Sequence, residues 1–330
     1  MAFLEILNCN AKALTLALIL CHPLLGVVLS EGKLNVGFYS KTCPEAESIV
    51  RSVVAEAANS NPRIPAILLR LQFHDCFVEG CDGSILIDNG EDGEKNAFGH
   101  QGLGGFEEID KAKAKLEDEC PGIVSCADIV ALAARDAIVL SKGPSYEVQT
   151  GRRDGRVSTK SHADELPEVD DSIQLLKSKF TKKGLSDKDL VLLSAAHTIG
   201  TTACFFMETR LYSFNGRAGS DPAINPQFLP ELEAKCPKDG DVNARMPLDA
   251  RTGETFDDQI LSNIKGGFAV IASDARLYED ESTKEVIDAY VGMSKSSFET
   301  DFVASIVRMG QIGVKTGSEG EIRRNCRAFN

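Results

Sequence analysis

Apolar residues recur at three- and four-residue intervals along most of the chain, which is the spacing of amphipathic helices. Ser186-Asp187-Lys188-Asp189 has the form of a capping box that lacks only the usual Glu at its third helical position. β-branched alternation is scarce, and Val148–Arg153 is the best candidate strand. With no repeat and no linker, the predicted fold class is all-α with long loops. The predicted helices begin at Pro44, Pro65, Phe106, Cys126, Ser172, Ser186 and Ser294.

Residues 1–30 differ from the rest of the chain. The apolar run Ala13–Leu20 continues through Leu24–Leu29 and is broken by His22-Pro23, a pattern typical of a secretory signal peptide. Val28-x-Ser30 offers an acceptable cleavage site, which leaves 31–330 as one domain. The alternative is a buried N-terminal helix. No later segment is apolar for long enough to span a bilayer, so we expect a soluble, secreted mature protein.

Composition narrows the possible partners of the 330-residue chain. Hydrophobic residues make up 43% and charged residues 26%, which is ordinary for a globular protein. The 49 acidic residues exceed the 36 basic ones, for a net charge of −13. Because a phosphate backbone or an anionic membrane would be repelled, this balance argues against nucleic-acid binding and disfavours binding to a membrane surface.

Ten cysteines are informative once secretion is expected. Cys9 and Cys21 would leave with the signal peptide, and the even number that remains is typical of disulfides in an oxidising compartment. The pairing cannot be deduced from the sequence. A metal cluster is the alternative, but no CxxC spacing supports it.

One helical face carries a candidate for acid–base chemistry. Arg70, Phe73 and His74 are three or four residues apart and therefore share that face of an otherwise apolar helix. His74 is a candidate general acid and base, with Arg70 stabilising developing negative charge. The alternative is an exposed helical face that carries an ordinary Arg and His.

Two segments have oxygen donors at the spacing that Ca²⁺ requires. The first runs from Asp75 to Ser84, with Gly80 for a tight turn, and its alternative is a solvated acidic turn. The second series of donors comprises Asp249, Thr252, Thr255 and Asp257, and Thr198 could join it.

His197 lies in the segment Ser194–Gly200, where small residues precede it. They leave room for a bulky, flat group to approach the imidazole. A satisfied core histidine is the alternative.

With further short motifs, these residues resemble those of secreted plant (class III) haem peroxidases over essentially the whole of 31–330. Each motif is weak alone, but their order and spacing are very specific. The matching residues are Arg70-x-x-Phe73-His74-Asp75-Cys76-Phe77, Gly80-Cys81-Asp82-x-Ser84, Glu94-Lys95, Val124-Ser125-Cys126-Ala127-Asp128, Gly151-Arg152-Arg153-Asp154, Leu166-Pro167, His197-Thr198-Ile199-Gly200, Phe256-Asp257, Ser273-Asp274 and Asn325-Cys326-Arg327.

The resemblance implies one haem group (heme b) between distal and proximal helical halves. Proximal His197 would hold the iron, with Asp274 accepting a hydrogen bond from its other nitrogen. Distal His74 would move the proton of H₂O₂, and Arg70 would stabilise negative charge as the O–O bond breaks. Phe73 would keep donors away from the iron-bound oxygen, so that electrons enter at the haem edge.

The same resemblance implies two Ca²⁺ sites and four disulfides. The distal site would use Asp75, Val78, Gly80, Asp82 and Ser84, with Val78 and Gly80 binding through their carbonyls. The proximal site would use Thr198, Asp249, Thr252, Thr255 (through its carbonyl) and Asp257. The disulfides would pair Cys43–Cys120, Cys76–Cys81, Cys126–Cys326 and Cys204–Cys236.

The chain departs from the family pattern at several positions. His100 stands where an Asn usually orients the distal His, which makes His100 a candidate positioning residue. At an ordinary pKa near 6.5 it would become a donor-only imidazolium on mild acidification, and nearby Glu94 could raise that value. Gly104, Ala275 and Tyr146 replace a common Arg, Gln and Trp, and no N-glycosylation sequon is present.

The function implied is a peroxidase that reduces H₂O₂ and oxidises phenolic donors by one-electron steps near Pro167. Oxidative-stress response and cell-wall phenolic metabolism are compatible roles, with a monomer expected in the apoplast or cell wall. The chain ends four residues after Cys326, which favours the apoplast or cell wall over the vacuole. The alternatives are a haem- and calcium-containing wall protein with weak turnover because of His100, and a cysteine-dependent hydrolase using Cys76 and His74.

Overall fold

Helices dominate the computed structural model, which describes residues 33–292 and 295–330. None of the helices in these two stretches combines the length and apolar character of a membrane span. The signal peptide expected at 1–30 lies outside the described residues. In chain order, the helices α1 to α12 span Ala46–Ser60, Ile64–Phe77, Phe106–Glu119, Cys126–Leu140, Ile173–Lys182, Asp187–Ser194, Glu208–Tyr212, Leu229–Lys235, Gln259–Lys265, Ala272–Arg276, Glu281–Tyr290 and Lys295–Met309.

Side-chain caps fix where several of these helices begin. The Ser125 hydroxyl accepts the Asp128 N–H ahead of α4, and the Ser172 hydroxyl accepts the Leu175 N–H ahead of α5. At α6 the capping box is complete, because the Asp189 carboxylate accepts the Ser186 N–H at 2.8 Å. The capping box predicted from the sequence is therefore confirmed, with the shorter Asp reaching back in place of the usual Glu.

Apart from three isolated bridges, the β-structure in the described residues consists of two short antiparallel pairs. β1 (Asn35–Val36) pairs with β2 (Gln149–Thr150), and β3 (Thr201–Ala203) pairs with β4 (Arg245–Pro247). The strand expected over Val148–Arg153 is only two residues long. Gly151 turns the chain with φ +114°, and the Asp128 carboxylate takes the N–H groups of both Gly151 and Arg152, so they do not pair with a strand.

Two large apolar cores lie on either side of α2. Leu68 and Leu71 of α2 pack in one core with residues of α1, α3 and α4. Leu69 and Phe77 of the same helix belong to the other core, with residues of α5, α6, α9, α11 and α12. A smaller core surrounds α7 and α8. Helix α2 therefore forms part of both halves, and its polar residues are held between well-packed layers.

Four disulfides staple this framework. They join Cys43 to Cys120, Cys76 to Cys81, Cys126 to Cys326 and Cys204 to Cys236, the same pairs that the resemblance implies. The Cys126–Cys326 bond spans 200 positions and ties the start of α4 to the C-terminal segment. Because Cys76 is bonded to Cys81, it has no thiolate to act as a nucleophile, and the cysteine-hydrolase hypothesis was wrong.

Candidate active site

Helix α2 presents Arg70, Phe73 and His74 together, as their spacing predicts. The His74 ring is 5% exposed, and the Phe73 ring stands edge-on to it at a centroid distance of 5.6 Å. Nη2 of Arg70 donates to the Gln101 carbonyl at 3.3 Å. The alternative of an ordinary exposed helical face is therefore wrong for His74, which is almost completely buried.

The distal histidine is held by a second histidine. Nδ1 of His74 lies 2.8 Å from Nδ1 of His100, so one of the two nitrogens carries the proton and the other accepts it. His100 is itself 3% exposed, in a short 3₁₀ turn before α3. Its Nε2 lies 3.6 Å from Oε1 of buried Glu94, an electrostatic contact longer than a hydrogen bond.

Burial keeps both distal imidazoles neutral. Desolvation, followed by the charges of Arg70 and His100, places the pKa of His74 well below its ordinary range. Burial and then Arg70 lower the pKa of His100 to about 4. The expected value near 6.5 for His100 was wrong for this reason. Glu94 does not raise it, because burial raises the pKa of Glu94 itself to about 8 and leaves that carboxyl largely protonated at lower pH.

The proximal histidine, His197, is oriented by a carboxylate. Nδ1 of His197, in the 3₁₀ turn after α6, lies 2.9 Å from Oδ1 of Asp274, which is buried in α10. Burial alone would lower the pKa of His197, but the Asp274 charge and hydrogen bond outweigh it and raise the pKa. The opposite ring nitrogen, Nε2, is left free to bind another group.

His74 and His197 both lie near the space around Arg70. The His197 side chain is 38% exposed, although its partner Asp274 is 1% exposed. Arg70 shifts the pKa values of both His74 and His197, so its guanidinium lies within electrostatic reach of both rings. A Cβ atom added to Gly200 would lie 2.9 Å from the Ala66 Cβ, so the segment after His197 closes directly onto α2.

The residues around this space fit a haem group. A free imidazole nitrogen on a ring held by a carboxylate is the ligand type that haem iron takes in peroxidases. Half-exposed Ala66, Phe73 and Ala196 supply apolar surface for a flat ring. Pro167 is half-buried next to Leu166, whose side chain lies against Gly99 beside His100, so the expected donor position adjoins the distal loop.

The first set of expected calcium ligands converges after α2. Oδ1 of Asp75 and Oγ of Ser84 are buried without a hydrogen-bond partner in the described part of the chain, and they have the hard-oxygen chemistry that Ca²⁺ prefers. Burial, then the Asp82 and Glu94 charges, raises the pKa of Asp75 far above its usual range. Such clustered carboxyls fit a cation.

Two lysines that the sequence analysis missed also reach this loop. Nζ of Lys315 pairs with Asp82, and Nζ of Lys183 donates to the Val78 carbonyl at 2.8 Å. The expected ligand Gly80 uses its carbonyl for the Asp82 N–H at 2.7 Å. Lys315 lies 233 positions from Asp82, and no local pattern signals such a contact.

The second set of expected calcium ligands comes together beside the turn that follows His197. Oγ1 of Thr198 and Oγ1 of Thr252 lie 3.1 Å and 3.0 Å from Oδ1 of Asp257. Oγ1 of Thr252 is 3.4 Å from Oδ2 of Asp249, and the Thr255 carbonyl is 3.5 Å from the Thr198 hydroxyl. All five expected residues are therefore linked by oxygen–oxygen contacts next to the His197 turn, and their chemistry fits Ca²⁺.

Comparison with known proteins identifies the family. A family model described as peroxidase matches residues 50–293. The chain belongs to the peroxidase family. It is 63% identical to Peroxidase 43 of Arabidopsis thaliana over 325 residues, which cover 97% of this chain and 99% of that protein. It is 58% identical to Peroxidase 13 of the same plant, covering 96% and 99%, and 46% identical to Peroxidase N1 of Nicotiana tabacum, covering 97% and 98%.

These comparisons decide several of the sequence-based predictions. The resemblance to plant haem peroxidases, the all-α fold and the class of enzyme are confirmed. Haem is the cofactor of this peroxidase family, and H₂O₂ with a reducing donor is its substrate pair. The roles of individual residues, the number of calcium ions, secretion and oligomeric state remain predictions.

Proposed function

We propose that this chain is a secreted peroxidase that reduces H₂O₂ to water and draws single electrons from phenolic donors. The observation that carries the proposal is the pair of histidines with different partners on one pocket. A carboxylate holds His197, which suits an iron ligand, whereas an imidazole holds His74, which suits a proton carrier. His197 would hold one haem group, which supplies the iron that binds and reduces H₂O₂.

The residues of α2 then handle protons and charge. Nε2 of His74 takes the proton from H₂O₂ and delivers it to the departing oxygen. The Arg70 guanidinium stabilises the negative charge that develops on that oxygen. Phe73 lies beside His74 and keeps the phenolic donor away from the reacting oxygen. The donor therefore gives its electrons at the pocket edge near Pro167.

His100 acts as a positioning residue for His74. For Nε2 of His74 to accept a proton, the hydrogen of the neutral ring must reside on Nδ1, which donates to Nδ1 of His100. His100 then carries its own hydrogen on Nε2, facing Glu94. Because its pKa is about 4, His100 keeps this acceptor role at neutral and mildly acidic pH. The alternative of a weak enzyme limited by His100 is therefore not favoured.

Two calcium ions would brace the pocket from both sides. The distal ligands Asp75, Val78, Gly80, Asp82 and Ser84 follow His74 directly, and the proximal set begins at Thr198, directly after His197. Each ion would hold a loop that is covalently attached to a functional histidine.

We further propose that residues 1–30 are a signal peptide, and that 31–330 form a monomeric domain in the apoplast or cell wall. The four disulfides support an oxidising compartment.

The proposal is tested by oxidation of several small phenols by the purified protein with H₂O₂, together with its absorption spectrum. We expect a strong haem band and H₂O₂-dependent oxidation of several phenols. A haem band without turnover of any phenol would leave a haem protein and contradict the proposed activity.

A further inference from the structure

The segment after α12 packs directly against the first expected calcium loop, residues 75–84. The Cys81 N–H donates to the Ile312 carbonyl at 2.9 Å. A Cβ atom added to Gly80, which has φ +94°, would lie 2.7 Å from the Gly313 Cα, so the two backbones are in contact and only glycine fits there. The backbone therefore fixes the position of residues 312–315 beside this calcium loop.

This packing brings the Lys315 ammonium group to one of the expected ligands. The Lys315 carbonyl accepts the Arg153 N–H at 2.8 Å, which anchors the lysine backbone. Nζ of Lys315 pairs with Oδ2 of Asp82. The Asp82 side chain is 1% exposed and the Lys315 side chain is 28% exposed. A lysine that enters from the surface therefore neutralises a buried carboxylate of the calcium loop.

A second ammonium group contacts another expected ligand. Nζ of Lys183, which follows α5, donates to the Val78 carbonyl at 2.8 Å. A carbonyl oxygen that accepts from an ammonium group is a poorer ligand for a metal ion, because the two positive charges repel each other. Arg323 adds a third positive charge, since its Nη2 donates to the Asp82 carbonyl at 3.1 Å. Three cationic side chains of the protein therefore contact the calcium loop.

Other oxygens of the calcium loop are left for an ion. Oδ1 of Asp75 and Oγ of Ser84 have no hydrogen-bond partner among the described residues. Oδ1 of Asp82 accepts the Ser84 N–H at 3.0 Å. Calcium would complete this set of oxygens, but it would have to share Asp82 with Lys315. Because ligand charge tunes how tightly such a loop binds calcium, a cation already on Asp82 weakens the binding of the ion.

We propose that Lys315 competes with calcium for Asp82, so that it weakens calcium binding to this loop and takes the place of the ion when calcium is absent. This inference rests on the proposed function, which assigns a calcium ion to the loop. Lys315 is a positioning residue and takes no part in the chemistry of the pocket. Since the calcium loop begins directly after His74, Lys315 would hold the segment beside His74 in place when the calcium concentration falls.

The test is a calcium titration of the haem-loaded protein in competition with a chromophoric chelator, after calcium has been removed. The wild type should bind two ions. We expect Lys315→Met, which keeps the side-chain length and removes the charge, to tighten the binding of one ion about tenfold and to leave the other unchanged. Asp257→Asn should weaken the other ion, which assigns the tightened one to the calcium loop. Lys315→Arg keeps the charge and should bind calcium as the wild type does.

Melting temperatures with and without calcium separate competition from a merely structural role. Without calcium, Lys315→Met should melt several degrees below the wild type, because Asp82 loses its counter-ion. With saturating calcium this difference should shrink or reverse, since tighter binding stabilises the folded variant more. Lys188→Met is the matched control, because it removes an exposed lysine that pairs with Asp301 at 2.9 Å, and it should leave calcium binding unchanged.

Unchanged or weaker calcium binding by Lys315→Met, with the same loss of melting temperature in both calcium states, would overturn the inference alone, because Lys315 would then be only a structural residue. Absence of calcium binding in the wild type and in every variant would refute this inference together with the calcium sites of the proposed function.

Discussion

Nδ1 of His74 and Nδ1 of His100 lie 2.8 Å apart in a region that excludes solvent. An amide at position 100 would offer an acceptor oxygen at every pH, whereas an imidazole offers an acceptor only while it is neutral and has only donors when protonated. The pH at which His100 gains a proton therefore decides whether the distal base keeps its orientation.

The rate of the first step with H₂O₂ should be insensitive to His100 between pH 5 and 8. Because burial and Arg70 lower the pKa of His100 to about 4, the side chain stays neutral over this range. We expect the wild type and His100→Asn to have superimposable profiles there. Below about pH 5 the wild type should slow by up to roughly tenfold relative to the variant. If the rate of the wild type already falls between pH 8 and 6 while the rate of His100→Asn stays constant, this pKa is contradicted.

The same pKa predicts a loss of stability on acidification. His100 titrates near 6.5 in the unfolded chain and near 4 in the folded one, so the unfolded state binds more protons between these values. The free energy of unfolding should therefore fall as the pH drops from 6.5 to 4, by up to about 1.4 kcal/mol per pH unit. Denaturant titrations at several pH values should show this slope reduced in His100→Asn. Identical slopes would mean that the folded protein does not hold His100 neutral.

Replacement of His197 should abolish haem retention. It is the histidine oriented by Asp274 through Nδ1, which leaves Nε2 to bind the iron. We expect His197→Ala to purify without a peroxidase-type absorption spectrum. His162→Ala is the matched control, since His162 is an exposed histidine paired with Glu79, and it should keep the spectrum. Normal absorption and turnover in His197→Ala would refute the assignment of the iron ligand.

Removal of calcium should lower the melting temperature and the activity together. An ion that binds only the folded state stabilises it by about 2.7 kcal/mol when its concentration is 100 times the Kd. Asp257→Asn removes a carboxylate that two threonine hydroxyls approach, so it should reproduce part of this loss. A melting temperature that stays constant after verified removal of both ions would count against both sites.

Local patterns in the sequence predicted seven of the twelve helices in the described residues and missed the shorter α7 to α11. The apolar spacing and the Ser caps locate α4, α5 and α6 to within a residue or two, because both act over three or four positions. The strand after Val148 could not be judged in this way, since Asp128 diverts its N–H groups from more than twenty positions away.

The same distinction between local patterns and long-range contacts applies to the candidate site. The motifs around His74 and His197 are contiguous and could be recognised directly. The Lys315 contact with Asp82 and the Lys183 contact with Val78 join distant segments, so they depend on the fold. The titration of His100 could not be predicted either, because it depends on burial and on Arg70.

The most direct test of the account is the rate at which H₂O₂ changes the haem absorption of the purified protein on rapid mixing. The comparison is between the wild type and His74→Leu, both loaded with haem. If His74 moves the proton of H₂O₂, the variant should react about 10²–10⁴-fold more slowly while it keeps its haem. Equal rates in the two proteins would contradict the assignment of His74 as the distal acid and base.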